Sequence, residues 1–164
     1  SLATYGGTAM FHMEGVTPNP VSPPSSRLRI SRDDLEEARK ELNDDTEVDF
    51  VSIGCPHASL EELGRIARFL KGRSVVMETW VHVARPIKQT ADRIGYTRTI
   101  EGSGARIACD TCMVVAPLKG RFQGLATNSA KSVYYGRAKN RFKTIFRSLE
   151  GCLNIAVGHG REGS

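Results

Sequence analysis

The hydrophobic residues of the chain fall into two kinds of segment, short apolar runs and longer stretches with a helical period. Short runs that are rich in β-branched and aromatic side chains predict strands. The clearest run contains Phe50, Val51 and Ile53, which indicate a buried strand. Further strands are predicted at 7–13, 27–30, 74–80, 106–108 and 123–126.

Helical spacing of apolar residues predicts helices between and after these strands. In the most regular of them, an apolar face begins after Ser59, and Gly72 follows the last turn. A serine is a favourable helix N-cap, and a glycine commonly stands beyond a helix C-terminus. Ser31 predicts another N-cap, because acidic residues follow it in the first turn. The helices are expected at 31–43, 59–72, 86–95 and 148–157.

Strands and helices alternate along most of the chain, which is the pattern of an α/β fold with helices covering a mainly parallel sheet. The proline- and serine-rich segment 16–26 is predicted to be a loop. We expect one domain over residues 1–157 and a disordered tail over 158–164. Ligands of such sheets bind beyond the carboxyl ends of the strands, so the residues that follow each strand are candidates for a site.

The composition is that of an ordinary globular protein, with 40% apolar and 25% charged residues in a chain of 164. No apolar run reaches the roughly 18 residues that a membrane span needs. The N-terminus has no basic-then-apolar leader, so we expect a cytoplasmic protein with reduced cysteines. The chain begins with Ser1 rather than Met, which fits a processed chain or a piece of a longer protein.

Positive charge is concentrated in one part of the chain, although the net charge is only +5. Residues 111–149 contain eight basic residues and no acidic one. Such a stretch is compatible with a solvated basic surface, a site for an anionic small molecule or a nucleic-acid surface. The aromatic residues of the stretch follow no RNA-binding signature, so an anionic small molecule is favoured over nucleic acid.

Two of the predicted strands end in cysteine-containing turns. Gly54-Cys55-Pro56-His57 follows one strand, and Cys109-Asp110-Thr111-Cys112 follows another. Thiolates that converge at one edge of a sheet can bind a metal. Cys55, Cys109 and Cys112 together would leave one coordination position of the metal open. Alternatively, Cys55 and Cys112 are the ligands and Cys109 packs within its strand.

Other interpretations of the cysteines stay open. A zinc site normally needs a second ligand pair, which the sequence lacks. A thioredoxin-like redox pair would stand at a helix N-terminus, whereas the residues after Cys112 look extended. The cysteines could also be small apolar residues that are simply buried in the core. Cys152 lies on the apolar face of the last helix, and for this residue we expect core packing.

Five motifs, spread over nearly the whole chain, stand in a recognisable order. They are GTAMFHMEGVTP at 7–18, VDFVSIGCPHASLEEL at 48–63, DTCMVVAPL at 110–118, LATNSAKSVYY at 125–135 and FRSLEGCLNIAV at 146–157. Together they resemble the aconitase X family. The resemblance implies a three-layer α/β/α fold with a mainly parallel sheet. It also implies an iron–sulfur cluster bound by Cys55, Cys112 and either Cys109 or a ligand outside this chain.

The resemblance further implies a hydro-lyase reaction on an anionic hydroxy acid, in which an iron with an open coordination position assists the departure of hydroxide. Cys55 favours the archaeal branch of the family, which dehydrates mevalonate 5-phosphate to trans-anhydromevalonate 5-phosphate in isoprenoid biosynthesis. The alternative is the bacterial branch, which dehydrates hydroxyproline.

The chain resembles only the C-terminal part of the family's large subunit. In this family a small swivelling subunit supplies a serine as the catalytic base, and nothing in this chain resembles that subunit. We therefore expect the chain to need both the rest of the large subunit and the small subunit for activity.

Predicted substrate contacts follow two of the strands. The segment 127–131 offers hydroxyl, amide and ammonium donors, and we expect its Asn128, Ser129 and Lys131 to bind anionic groups of the substrate. His57 is expected to contact the substrate or to orient a metal ligand. Ser59 is expected to touch the substrate in addition to capping its helix.

Two further hypotheses compete with a dehydratase. One is a binding module in which the cysteines hold zinc and the basic stretch binds a polyanion. The other is a non-catalytic fragment that only packs against a partner. His12 and Glu14, in the first motif, are predicted either to lie near the site or to form a structural ion pair.

Overall fold

A five-stranded parallel sheet organises the chain. The computed structural model describes residues 1–19 and 21–159. The strands are β1 (Phe50–Ile53), β2 (Glu78–Val83), β3 (Arg106–Cys109), β4 (Gly124–Thr127) and β5 (Lys143–Phe146). Their order in the sheet is β3-β2-β1-β4-β5, and every neighbouring pair is parallel. The predicted α/β fold with a parallel sheet is confirmed.

Helices precede, connect and follow the strands. In the described residues they are α1 (Leu2–Gly6), α2 (Arg32–Glu41), α3 (Leu60–Leu70), α4 (Arg85–Arg93), α5 (Tyr96–Gly102), α6 (Ala130–Tyr135), a π-helix (Gly136–Asn140) and α7 (Leu149–Ala156). Ser59 is the N-cap of α3, as predicted, and it forms a capping box with Glu62. The Ser59 hydroxyl accepts a hydrogen bond from Glu62 N (3.1 Å), and the Glu62 carboxylate accepts one from Ser59 N (2.8 Å).

One face of the sheet carries the larger core. Alternate strand residues such as Val51, Ile53 and Val81 are buried there against α3, α5 and α7. Helix α3 contributes Leu63 and Ile66 among others, which recur at helical spacing and are fully buried. This periodicity explains why sequence patterns located β1 and α3.

The opposite face carries a smaller aromatic core. Phe50 packs there with Leu125 and Phe142, and its ring stacks on that of Phe122 at 4.7 Å between centroids. The loop 113–122, α6 and the π-helix cover this face. The fold therefore has three layers, with a reduced second helical layer.

The strand order contains a topological switch point. From β1 the chain moves outward to β2 and β3, and it then crosses to the other side of β1 to form β4 and β5. The connections after β1 and after β4 consequently leave the sheet toward opposite faces. A crevice at the carboxyl ends of these two strands is the usual ligand site in open parallel sheets.

The N-terminal segment departs from the predicted strands. Residues 7–13 and 27–30 form no strand, and their apolar side chains, among them Phe11 and Leu28, are exposed. An apolar run becomes a strand only where a neighbour satisfies its backbone hydrogen bonds, and no described strand lies beside these residues. Other differences are that β2 begins at Glu78 rather than at Ser74, and that β5, α1, α5, α6 and the π-helix were not predicted.

The predicted C-terminal tail is described only at its start. His159 N donates a hydrogen bond to the Asn154 carbonyl (2.9 Å), so it continues the turn that ends α7. Residues 160–164 of the predicted tail lie outside the described residues. Within the described part of the chain, every helix is too short or too polar to cross a membrane.

Candidate functional site

The turn after β1 is held against the end of β2. Gly54 has a φ of +100°, and a Cβ at this position would collide with the backbone carbonyl oxygen of His82. That carbonyl also accepts a hydrogen bond from Ala58 N (2.9 Å). Only glycine combines this close approach with a positive φ, so Gly54 fixes the path of the turn that carries Cys55 and His57.

The turn after β3 is shaped by Asp110. This residue has a φ of +53°, and its N–H donates to the Val83 carbonyl (3.0 Å). Its carboxylate accepts hydrogen bonds from the backbone N and the side-chain Nε of Arg85, both at 2.9 Å. The bond from the Arg85 backbone N–H is the main cause that lowers the pKa of Asp110. Asp110 thereby joins the N-terminus of α4 to the turn between Cys109 and Cys112.

His57 connects the two cysteine-containing turns. Its Nε2 lies 3.0 Å from the carbonyl oxygen of Thr111. Because a carbonyl only accepts, this ring nitrogen carries the hydrogen. The bond links the turn of Cys55 directly to the turn of Cys112. This position fits the predicted role of His57 in orienting a ligand, which stays a prediction.

Cys55 and Cys112 line one open cavity of about 370 Å³ at the carboxyl edge of the sheet. His57 and Lys131 also line it, so four of the predicted site residues meet here. Tyr135, on α6, also lines the cavity, and no sequence motif identified it as a site residue. We refer to this space as the thiol cavity.

Cys109 does not line the thiol cavity. Its side chain is half-buried and packs against the larger core, on the other side of the Asp110 turn. Within the described residues, no group of three or more His, Cys, Asp or Glu side chains is arranged to hold a metal. Cys152 is fully buried in the same core, and burial raises the pKa of its thiol to about 12, as expected of a packing residue.

A row of buried polar side chains lies at the carboxyl ends of β1, β2 and β4. Ser52 Oγ is 3.0 Å from His82 Nε2, and Ser52 pairs with Thr127 on the neighbouring strand. Among the described residues, His82 Nδ1 and Thr127 Oγ1 form no hydrogen bond of good geometry, although the Thr111 backbone is close enough to His82 to oppose part of the fall in its pKa. Burial, aided by the nearby His57, lowers the pKa of His82 to about 4, so its ring is neutral near pH 7.

The remaining predicted contacts are dispersed. The hydroxyls of Ser59 and Ser129 accept hydrogen bonds at the N-termini of α3 and α6, from Glu62 N and Ser132 N. Asn128 lines a second cavity, at the ends of β4 and β5, rather than the thiol cavity. His12 and Glu14 lie in the exposed N-terminal segment, and no described ion pair joins them.

Comparison with known proteins identifies relatives for this arrangement. The chain is 35% identical over 166 residues to the phosphomevalonate dehydratase large subunit of Methanosarcina mazei, across 99% of this chain and 40% of that protein. It is 32% identical over 173 residues to the cis-3-hydroxy-L-proline dehydratase of Pseudomonas aeruginosa, across 96% of this chain and 30% of that protein. The chain thus spans less than half the length of the relatives it matches.

A solved structure agrees with these relationships. The crystal structure of Thermococcus kodakaraensis aconitase X in its holo-form matches with a TM-score of 0.84 and 34% identity, over 94% of this chain and 42% of that one. Residues 48–158 match the family model for the aconitase X third domain. They contain the whole sheet and both cysteine-containing turns, and the chain therefore belongs to the aconitase X family.

Proposed function

We propose that the chain is part of a hydro-lyase that removes water from a small anionic hydroxy acid, with mevalonate 5-phosphate as the substrate. One observation carries the proposal: Cys55 and Cys112, from turns far apart in sequence, line a single cavity with Lys131. A cavity of about 370 Å³ is of the size that accommodates a small metabolite.

The donor set fits an iron–sulfur cluster in part. Two thiols at one cavity offer two ligands, and all four cysteines are unpaired. Cys109 would have to leave the larger core to become the third ligand. A donor from outside this chain therefore fits the arrangement better. When bound, the cluster would supply an iron that acts as a Lewis acid toward the departing hydroxyl.

The residues of this chain would position the substrate. Lys131 is exposed at the cavity, where its ammonium group can neutralise a carboxylate or a phosphate. Its pairing with the substrate would hold the hydroxyl-bearing carbon near the two thiols. His57 would hold the turn of Cys55 at a fixed position relative to the turn of Cys112, through its hydrogen bond to the Thr111 carbonyl.

The chain requires partners for this reaction. The relative from Methanosarcina mazei is named a large subunit, which supports a complementary small subunit. We propose that this subunit carries the base that removes the substrate proton. The cytoplasm suits the enzyme, since its reducing conditions keep the thiols free.

Hydroxyproline is the alternative substrate class. The relative from Pseudomonas aeruginosa, a cis-3-hydroxy-L-proline dehydratase, is aligned over 96% of this chain at 32% identity. Both substrates carry a carboxylate and a hydroxyl, so Lys131 suits either. They differ in that only mevalonate 5-phosphate has a phosphate group.

A chimeric enzyme tests the proposal. This chain replaces the matched segment of the Methanosarcina mazei large subunit, and the product is purified anaerobically with the small subunit of that enzyme. We expect bound iron and sulfide, and faster dehydration of mevalonate 5-phosphate than of cis-3-hydroxy-L-proline. Cys55→Ser and Cys112→Ser should each abolish iron binding, whereas the control Cys152→Ser should retain it. Bound zinc without sulfide would favour the binding module instead.

A further inference from the structure

A cavity of about 700 Å³ lies beyond the ends of β4 and β5, away from the two thiols. Three cationic side chains line it, from two distant parts of the sequence: Arg39, Lys40 and Arg147. Asn43, Asn128 and Ser148 add polar groups, and no lining residue is acidic. We refer to this space as the basic cavity.

The basic cavity is assembled by specific hydrogen bonds. Asn43 joins its two sides, because its Nδ2 donates to the Arg39 carbonyl (2.6 Å) and its Oδ1 accepts from Phe146 N (2.9 Å). The same Oδ1 accepts from a terminal guanidinium nitrogen of Arg147 (2.7 Å). The end of α2, with its two cations, is thereby held over the junction between β5 and α7.

A second set of bonds reinforces this docking. Asp44 N donates to the Thr144 carbonyl (2.7 Å), and the Asp44 carboxylate accepts from Thr144 N (2.7 Å). The Thr144 hydroxyl donates to the Leu42 carbonyl (3.1 Å). The placement of Arg39 and Lys40 therefore follows from hydrogen bonds that are mostly partly buried, although both side chains are themselves exposed.

The positive charge of the basic cavity is not neutralised by ion pairs. None of the ion pairs among the described residues includes Arg39, Lys40 or Arg147. Of the neighbouring carboxylates, Asp44 pairs with Arg137 (3.1 Å) and Glu150 pairs with Arg65 (3.2 Å). The glutamates of α2 are not among the residues that line the cavity. The N-terminus of α7 also faces this region, and the Ser148 hydroxyl satisfies only the N–H of Gly151 there.

We propose that the basic cavity binds a phosphate group. Two guanidinium groups and an ammonium group match a doubly charged tetrahedral anion better than a single carboxylate. The first N–H groups of α7 add donors on the same side. The site is distinct from the thiol cavity and requires neither a cluster nor a second subunit. The phosphate belongs either to the free anion or to a phosphorylated small molecule.

Calorimetric titration of the 164-residue chain with inorganic phosphate tests this site. Sodium chloride at the same ionic strength corrects for general screening. We expect saturable binding to one site. The double variant Arg39→Gln/Lys40→Gln should weaken it by at least about tenfold, because each charged hydrogen bond contributes a large part of such an affinity. These substitutions leave the backbone bonds of α2 in place.

A control variant removes a positive charge from the surface outside the basic cavity. Lys139 is exposed on the π-helix and lines neither cavity, so Lys139→Gln should bind phosphate like the unmodified chain. The proposal is overturned by binding no stronger than that of chloride, or by equal affinity in the double variant and the control. Phosphate binding to this chain does not depend on the activity of the chimeric enzyme. A negative result in one experiment therefore leaves the other proposal untouched.

A second set of titrations distinguishes a site for the free phosphate anion from a site for a phosphate ester. The chain is titrated with mevalonate 5-phosphate and with mevalonate under the same conditions. Tighter binding of the ester than of inorganic phosphate assigns the site to a phosphorylated small molecule. Equal binding of the ester and of inorganic phosphate assigns it to a free anion. Both outcomes require loss of affinity in the double variant.

Discussion

Gly54 illustrates how a single residue determines the geometry of the thiol cavity. Its positive φ and its contact with the His82 backbone both exclude a side chain. We predict that Gly54→Ala lowers the free energy of unfolding by about 3 kcal/mol, since it combines left-handed strain with a collision. Gly72 has a φ of +72° but open space around it, so Gly72→Ala should cost only about 1 kcal/mol.

Urea unfolding of the two glycine variants measures this difference. Both substitutions place a side chain at a positive φ, and only the one at Gly54 also meets a neighbouring strand. Equal losses of stability would mean that β2 does not restrain the turn of Cys55.

His82 gives the chain a pH-dependent stability. Its pKa falls to about 4 in the folded protein from an ordinary value near 6.5. Between these two values the unfolded chain binds a proton that the folded chain does not, so stability declines as the pH falls. We predict that this residue alone removes about 3 kcal/mol of stability between pH 7 and pH 4.

The variant His82→Gln separates this effect from other titrations. It keeps a polar group near Ser52 and removes the titration, so its stability should decline less over that pH range. His159→Gln, at an exposed histidine near the end of the described chain, should retain the pH dependence of the unmodified protein. Parallel pH curves for all three proteins would contradict the prediction.

At the scale of elements, two helices begin with the same capping box but differ in what they bury. Ser59 caps α3, which buries five residues in the larger core, whereas Ser31 caps α2, which buries none. We predict that Ser59→Ala lowers the free energy of unfolding by about 1 kcal/mol. Ser31→Ala should change it much less, because fraying of the first turn of α2 exposes no core.

Thermal or urea unfolding, followed by far-ultraviolet circular dichroism, distinguishes the two serine variants. The Ser31→Ala protein should lose some helical signal at low denaturant without a shift of its main transition. A comparable shift in both variants would indicate that the first turn of α2, and not only its docked end, unfolds together with the sheet.

The elements that the sequence predicted correctly are those whose local signals agree with their packing in the core. The α3 helix and β1 have local signals that agree with their packing, namely a cap, a glycine stop and apolar periodicity. The segments 7–13 and 27–30 have apolar residues without a neighbouring strand to pair with, so a local pattern was insufficient there. The π-helix begins at Gly136, which lies close against Leu125 and Phe142, and no local pattern encodes that long-range contact.

For the candidate site, the sequence predicted where the cysteine-containing turns lie but not which way their side chains point. Because β1 and β3 are parallel, their carboxyl ends share an edge, and the meeting of Cys55 with Cys112 followed from that rule. The direction of each side chain did not follow. The left-handed turn at Asp110 sends Cys112 to the cavity and leaves Cys109 against the core, and aspartate gives only a weak signal for such a turn.

At the scale of the whole molecule, the first 30 residues contribute little to the core. Among the described residues of this segment none is buried, and several large apolar side chains are exposed. The principal anchor is Tyr5, whose ring contacts that of Tyr134 at 5.1 Å between centroids and whose hydroxyl donates to the Ala130 carbonyl (2.9 Å). The folded unit is therefore the sheet with its helices, together with α2.

We predict that removal of residues 1–30 changes the free energy of unfolding by no more than about 1 kcal/mol, the usual contribution of one aromatic pair. Removal of residues 1–45 should cost distinctly more, because Asn43 and Asp44 bond to Phe146 and Thr144 of β5. Urea unfolding of both shortened chains gives the comparison. Marked destabilisation by the shorter deletion would contradict the expected minor role of residues 1–30. If the longer deletion has no additional effect, α2 is not docked as the structure describes. The basic cavity would then lose its support as well.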